Sequence, residues 1–183
     1  MNSLYLGDWI EKTDLEGPGL RAALFLSGCS LRCPGCCNPH LFHRKKEQLL
    51  PVSEVLKLVT SVLGIEGISV LGGEPLEQSL ALCNFLSLLR RDTDLSVMLY
   101  TGYTMEEIAK DKTKASVLPF VDVLVDGRYQ KENRSSEQKF IGSTNQKLHL
   151  LTDRYQASDF CGPNFTEFRL NKQELRILGY PVS

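Results

Sequence analysis

Three cysteines in one short stretch constrain this chain more than any other feature. Cys29-Ser30-Leu31-Arg32-Cys33-Pro34-Gly35-Cys36 has the spacing C-x3-C-x2-C. It follows Ala22-Ala23-Leu24-Phe25-Leu26, an apolar run that reads as a buried strand. Soft thiolates crowded into a loop bind soft metals, either zinc or an iron–sulfur cluster. A four-iron cluster normally takes four cysteines, one per iron. Three would leave one iron open to a small chelating molecule. A structural zinc site wants four closed ligands instead. Cys37 is next in line, but adjacent residues rarely both reach one metal. The spacing alone leaves iron–sulfur and zinc open.

At 183 residues, with net charge −1, the chain reads as one domain, residues 1–183. A chain of that length buries about 70% of its unfolded surface, enough for a proper core. The charge suggests no nucleic-acid or membrane partner. Asp8, Glu11, Lys12, Asp14 and Glu16 rule out a signal peptide's apolar core near the start. No run approaches the ~20 apolar residues of a membrane span. Six cysteines without a secretion signal point to a reducing compartment, hence a cytoplasmic protein, and to metal chemistry rather than disulfides. Cys83 and Cys161 read as ordinary residues, Cys83 on the apolar stripe of a helix.

Residues 4–10 read as a first strand and Glu16-Gly17-Pro18-Gly19 as a turn. Arg21 opens the strand that feeds the cysteine loop. It would serve in a surface salt bridge or at a cofactor or partner surface. After the loop, His40 and His43 read as structural or surface residues. The run His43-Arg44-Lys45-Lys46 is a solvated loop or a patch that docks a partner. Ser53 is a plausible N-cap for a helix carrying Val55, Leu58, Val59, Val62 and Leu63, with Gly64 as its stop. Gly67–Leu71 reads as a buried strand ending at Gly72-Gly73-Glu74-Pro75, and Pro75 suits the first turn of a helix. Leu76, Leu80, Cys83, Leu86 and Leu89 would form that helix's apolar face, with Arg90 and Arg91 at its negative end.

Leu95–Tyr100 is the next strand, leaving through Thr101-Gly102-Tyr103. Thr104 and Glu107 match a capping box for a helix through Lys110. Val121–Val125 is another strand, leaving through Asp126-Gly127-Arg128. Gln130–Lys139 lacks apolar periodicity and reads as a mobile surface loop. Gly142-Ser143-Thr144-Asn145-Gln146 precedes a strand over Lys147–Leu151, and residues 164–178 pattern as a terminal hairpin around Asn171-Lys172-Gln173. Strand, loop and helix alternate for most of the length, which argues for a parallel sheet with helices outside. Right-handed crossovers bring the strand exits to one edge. The cysteine loop, Gly-Gly-Glu-Pro, Thr-Gly-Tyr and Asp-Gly-Arg therefore converge, as in a ligand site at the carboxyl ends of the strands. There are too few strands to close eight-fold, so an incomplete, open α/β barrel follows.

Glycines after a strand let a ligand approach the backbone, and a carboxylate beside them can accept from an ammonium group. With that turn downstream of C-x3-C-x2-C, the chain resembles the radical S-adenosylmethionine (radical SAM) enzymes. It looks most like the activating enzymes of anaerobic (class III) ribonucleotide reductases. That family also has a Pro-Gly pair between its last two cluster cysteines, as Pro34-Gly35 here. It shares Gly-Pro-Gly-x-Arg ahead of the loop, Thr-Gly-Tyr, and Gly-Ser-x-Asn-Gln. It tends to carry an aromatic residue where this chain has Cys37. The resemblance runs from Glu16 to about Gln146.

The resemblance implies an incomplete open (β/α) barrel of parallel strands, with the hairpin added. It implies a [4Fe-4S] cluster on Cys29, Cys33 and Cys36, with S-adenosylmethionine on the fourth iron. Cofactor contacts would come from Gly35, Cys37, Asn38, Gly72, Gly73, Glu74, Pro75, Tyr100, Thr101, Gly102 and Asp126. Arg21, Arg128, Ser143 and Asn145 would face substrate or partner. The implied activity is reductive cleavage of S-adenosylmethionine to a 5′-deoxyadenosyl radical, which generates a glycyl radical on a large partner enzyme, the anaerobic ribonucleotide reductase. A flavodoxin-like or other low-potential donor would supply the electron. Two alternatives stand beside it: a radical SAM enzyme acting on a small molecule or peptide, and a zinc-stabilised interaction module.

Overall fold

A computed structural model describes residues 2–170 and 175–179. It is a mixed α/β fold around one seven-stranded sheet of order β3-β1-β2-β4-β5-β6-β7. The central strands are β2 (Arg21–Leu26), β4 (Gly67–Gly72), β5 (Ser96–Tyr100) and β6 (Val123–Asp126), and all three pairings among them are parallel. The edges are antiparallel, which corrects the expectation of parallel strands alone. β1 (Ser3–Thr13) pairs with β2 and with the short β3 (Leu49–Pro51), and β7 (Lys147–Leu150) runs against β6. The terminal hairpin is present: β8 (Thr166–Leu170) pairs antiparallel with β9 (Leu175–Gly179) as a separate two-stranded sheet. Its expected turn, Asn171-Lys172-Gln173, lies outside the described residues.

The period-two alternation of the strands splits the core between two faces. Ala22, Leu24, Leu26, Ile68, Val70, Val97, Leu99 and Leu124 point to the helix side. There they meet α1 (Val52–Thr60) and α2 (Ser79–Asp92), whose Val55, Val59, Leu82, Phe85, Leu86 and Leu89 are all fully buried. Two apolar stripes differ from expectation. Pro51, not Ser53, is the N-cap of α1, and Leu63 lies past its end and is exposed. Pro75–Gln78 forms a separate 3-10 turn before α2. That offset rotates the stripe, so Ala81, Leu82 and Phe85 face inward and Leu80 is exposed. The capping box at Thr104 and Glu107 forms as expected and starts α3 (Met105–Lys110), which α4 (Lys112–Ala115) follows. Among the described residues no helix is long and apolar enough to cross a membrane.

The opposite face carries Ala23, Leu71, Met98, Val123 and Val125 and, among the described residues, has no α-helix on it. Phe140, Ile141 and Phe160 from the late loops cover one part, and Leu178 of β9 covers another with Ile10 and Leu15. Arg21 is also buried, at the amino end of β2. Its Nη2 donates to Ser96 Oγ at 2.9 Å and Tyr155 Oη at 3.5 Å, while Nε and Nη1 have no hydrogen-bond partner among the described residues. It is therefore neither a surface salt bridge nor a partner-surface residue.

Glu16 is the second buried charge near the hairpin. Burial pushes its carboxyl up from 4.5 to about 7, against the pull of the Gly179 N–H. A folded-state value above the unfolded one means that the fold favours the neutral acid. The associated stability is complete below about pH 4.5 and is lost as pH rises through about 7. Glu16→Gln should therefore abolish a stability loss on the order of 3 kcal/mol over that interval, read from urea midpoints at acidic and neutral pH. An unchanged pH slope in the variant contradicts this.

Candidate functional site

The four parallel strands end at Leu26, Gly72, Tyr100 and Asp126 on one edge of the sheet. The cysteine loop leaves the first of these ends. Gly28, with φ +99°, turns the chain, and its N–H donates to Leu41 O at 2.7 Å while Cys29 N–H donates to Phe42 O at 3.1 Å. Arg32 (φ +45°) and Gly35 (φ +74°) supply two further reversals. Left-handed backbone is costly for a side-chain-bearing residue such as Arg32, so the loop stores strain between its cysteines. Cys36 N–H closes the second turn on Cys33 O at 3.2 Å.

The Gly-Gly-Glu turn locks onto the start of that loop, backbone to backbone. Gly73 N–H donates to Leu26 O at 2.7 Å, and Glu74 N–H donates to Gly28 O at 2.8 Å. A Cβ on Gly73 would lie 2.5 Å from Gly28 O, and one on Gly72, itself at φ +110°, 2.6 Å from Leu26 O. Only glycine permits this approach. Glu74 then ties the turn to the next strand's exit. Its Oε1 accepts from Leu76 N–H at 2.9 Å and Thr101 Oγ1 at 2.8 Å, and its Oε2 accepts from Gly102 N–H at 2.8 Å. The carboxylate is buried, and burial pushes its pKa up to about 7 despite those three donors. A carboxylate offers about four acceptor positions, so one remains on Oε2. A cation bound there would bring the pKa back down.

Cys29, Cys33 and Cys36 all line one cavity at this edge, together with Cys37 and Asn38, Gly72–Glu74, and Tyr100–Gly102. Leu31, Phe42 and Leu71 give it apolar walls, and Gly127, Tyr129, Gly142 and Gln146 close its far side. Burial raises the Cys29 thiol, and Glu74 and Glu77 add to the rise; burial raises Cys36, with the other three thiols adding to it. Neither shift comes from a neighbouring cation, so a bound metal would supply the positive charge that favours the thiolates. Among the described residues no three His, Cys, Asp or Glu side chains stand close enough to hold a metal as placed. The donor set nonetheless fits an iron–sulfur cluster: three free, soft thiols face one cavity beside a glycine-lined wall.

Several expected site residues sit elsewhere. Gly35 lies against the Lys131 stem, and Pro75 is buried in the 3-10 turn. Asp126 caps α3 by accepting from Met105 N–H at 2.6 Å, and stands 3.2 Å from His149 Nε2. Arg128 makes a two-pronged pair with Glu107 at 2.9 and 3.0 Å. Ser143 is fully buried and accepts from Gln130 N–H, and Asn145 Nδ2 donates to Arg128 O. Arg21 is at the opposite edge of the sheet, paired in register with Gly67. In their place the cavity takes Gln146, which accepts from Gly142 and Ser143 N–H and donates to Gly127 O at 3.0 Å. Leu71 was legible as the last side chain of β4 on the face away from α1 and α2. Leu31, Phe42 and Tyr129 had no comparable sequence signal.

Residues 15–149 match the family described as 4Fe-4S single cluster domain. The chain is 33% identical over 144 residues to the anaerobic ribonucleoside-triphosphate reductase-activating protein of Enterobacteria phage T4, covering 76% of this chain and 89% of that protein. It is 33% identical over 147 residues to the protein of the same description from Vibrio cholerae serotype O1, covering 75% and 92%. Among solved structures, QueE from Escherichia coli superposes with a TM-score of 0.48 at 17% identity, over 56% of this chain and 53% of that one. The matched family segment holds the whole cavity and ends before the β8–β9 hairpin.

The Gly73 contact gives a direct test. Gly73→Ala should force the turn away from Gly28 and lower the iron retained after anaerobic reconstitution several-fold. Iron content equal to wild type would contradict the close approach.

Proposed function

The chain belongs to the 4Fe-4S single cluster family that includes the anaerobic ribonucleoside-triphosphate reductase-activating proteins, and from that premise we propose how its residues do the work of a radical SAM activating enzyme. Cys29, Cys33 and Cys36 would hold a [4Fe-4S] cluster, and three ligands for four irons would leave room there for S-adenosylmethionine. Bound there, the cluster would supply the one electron for reductive cleavage of S-adenosylmethionine to methionine and a 5′-deoxyadenosyl radical, for which a glycine of the anaerobic ribonucleotide reductase would be the hydrogen-atom donor. The observation that carries this reading is the convergence of the three thiols and the Gly72-Gly73-Glu74 turn on one cavity.

The remaining residues bind, orient and exclude water. Gly72 and Gly73 let the methionine end lie against backbone, and the spare acceptor position on Glu74 Oε2 takes one amino hydrogen. Leu31, Phe42 and Leu71 keep the reacting centre dry. Tyr100, Thr101, Gly102 and Asn38 flank the nucleoside, with Cys37 standing where the family has an aromatic. We read residues 1–183 as one domain, an incomplete open (β/α) barrel whose unclosed side admits the reductase. The reductant is a flavodoxin-like or other low-potential carrier, in a reducing cytoplasm that suits six free cysteines. Neither nucleic acid nor membrane has a part.

Anaerobic reconstitution, reduction and addition of S-adenosylmethionine with the reductase should release 5′-deoxyadenosine and leave a glycine-centred radical in the reductase's paramagnetic resonance spectrum. Cys29→Ala, Cys33→Ala and Cys36→Ala should each drop both signals to background. Cleavage without a glycyl signal would move the substrate to a small molecule; no cleavage at all would overturn the reading.

A further inference from the structure

Ser30, the residue after the first cluster cysteine, is held by a carboxylate that has had no part so far. Glu77 Oε1 accepts from Ser30 N–H at 2.8 Å and from the Ser30 hydroxyl. Glu77 belongs to the 3-10 turn that follows Gly72-Gly73-Glu74, and its N–H donates to Glu74 O at 3.1 Å. Its carbonyl accepts from Arg44 Nη2 at 3.2 Å, and the Arg44 side chain lies over Gly28. The carboxylate pairs with no Lys, Arg or His among the described residues, so its charge stands unneutralised. Glu77 does not line the cavity, so a ligand there is touched by Gly72–Glu74 and not by this side chain.

The amide that Glu77 takes matters because of the two that follow it. The N–H groups of Arg32 and Leu31 donate to the Cys29 sulfur. The Leu31 side chain lies over Gly102, where a Cβ would overlap it. Three consecutive residues are thus fixed: Ser30 by Glu77, Leu31 against Gly102, and Arg32 in left-handed backbone at φ +45°. With the Ser30 N–H turned to Glu77, two amides of this run face the sulfur and the third does not. Charge and hydrogen bonds to the sulfurs set the reduction potential of an iron–sulfur cluster. The reduced form carries one more negative charge than the oxidised form. A nearby carboxylate therefore disfavours reduction, and each N–H aimed at a sulfur favours it. Glu77 acts in one direction through both: it brings a negative charge to the Cys29 arm and withholds an amide from it. A lower potential gives the transferred electron more driving force toward the sulfonium.

We propose that Glu77 is a positioning residue for the reductive cleavage: by its charge, and by holding the Ser30 N–H away from Cys29, it lowers the reduction potential of the bound cluster. The proposal rests on the reading above that Cys29, Cys33 and Cys36 hold a [4Fe-4S] cluster. The couple concerned is a one-electron couple. The cluster gains one electron, the reductant loses one, and no proton or group is transferred.

The test is an equilibrium redox titration of the full, reconstituted chain, poised with dithionite and mediators, without S-adenosylmethionine or reductase. The paramagnetic resonance signal of the reduced cluster is the readout. Glu77→Gln keeps an oxygen for Ser30 and removes the charge. It should raise the ratio of reduced to oxidised cluster at a fixed potential about tenfold, which is about 59 mV for a one-electron couple. Glu77→Ala, which also frees the amide, should shift further in the same direction. Ser30→Ala leaves both the charge and the amide bond and should match wild type. Iron content should stay at the wild-type level in the Gln variant, which decides the matter alone where the Ala variant loses iron. A Gln variant with the wild-type potential, or a more negative one, overturns the proposal. So does a Ser30→Ala shift as large as the Gln shift, which would give the effect to the hydroxyl. Both outcomes leave the cluster reading standing, whereas a wild-type chain that takes up no [4Fe-4S] cluster overturns that reading and this proposal with it.

Discussion

The site depends on two backbone strands approaching closer than any side chain allows. Leu26–Gly28 leaves β2 toward the cysteines, and Gly72–Glu74 leaves β4 beside it, joined by two N–H···O=C bonds of 2.7 and 2.8 Å. Those bonds continue the parallel ladder past the ends of the strands, so the metal-binding loop starts from a rigid edge. The Glu74 carboxylate then extends the tie to β5 through Thr101 and Gly102. Three successive strand exits are held by buried hydrogen bonds, and each bond to a charged acceptor contributes on the order of 2 kcal/mol. The loop itself carries the thiols that would gather around a cluster.

The sheet's two faces divide the work. One is filled by α1 and α2 and sets the strand spacing. The other has no α-helix among the described residues, and its last side chains, Leu71 and Tyr100, become cavity wall. A helix on that face would fill the space the ligand needs. The late loops and the β8–β9 hairpin cover the remainder, held by Leu178 and by the Gly179 N–H at Glu16. The hairpin lies outside the family's matched segment, whereas Phe140 and Ile141 lie within it.

What could be read from sequence follows from what is local. The cysteine loop, the Gly-Gly-Glu-Pro turn and Thr-Gly-Tyr each sit at a strand end, and strand ends on a parallel sheet share an edge, so their meeting was legible. Asp126 and Arg128 also sit at a strand end, yet their side chains turn to α3, where a helix amino terminus and Glu107 offer stronger partners. Arg21 belongs to the right strand but to its wrong end. Gln146 was passed over for Ser143 and Asn145 because which of five polar neighbours faces a cavity depends on a turn's rotation. Leu80 misled because helical phase is counted from the helix start, and the 3-10 turn at Pro75 moved that start. The antiparallel edges, β1 and β7, follow from connection geometry that hydrophobic pattern does not encode.

The central claim is that three thiolates hold four irons and one iron stays open for S-adenosylmethionine. Mössbauer spectroscopy of the ⁵⁷Fe-reconstituted protein tests it most directly. The account predicts four irons per chain and a change confined to one of them when S-adenosylmethionine is added. A spectrum that S-adenosylmethionine leaves unaltered, or a chain that takes up a single zinc in place of iron, would contradict it.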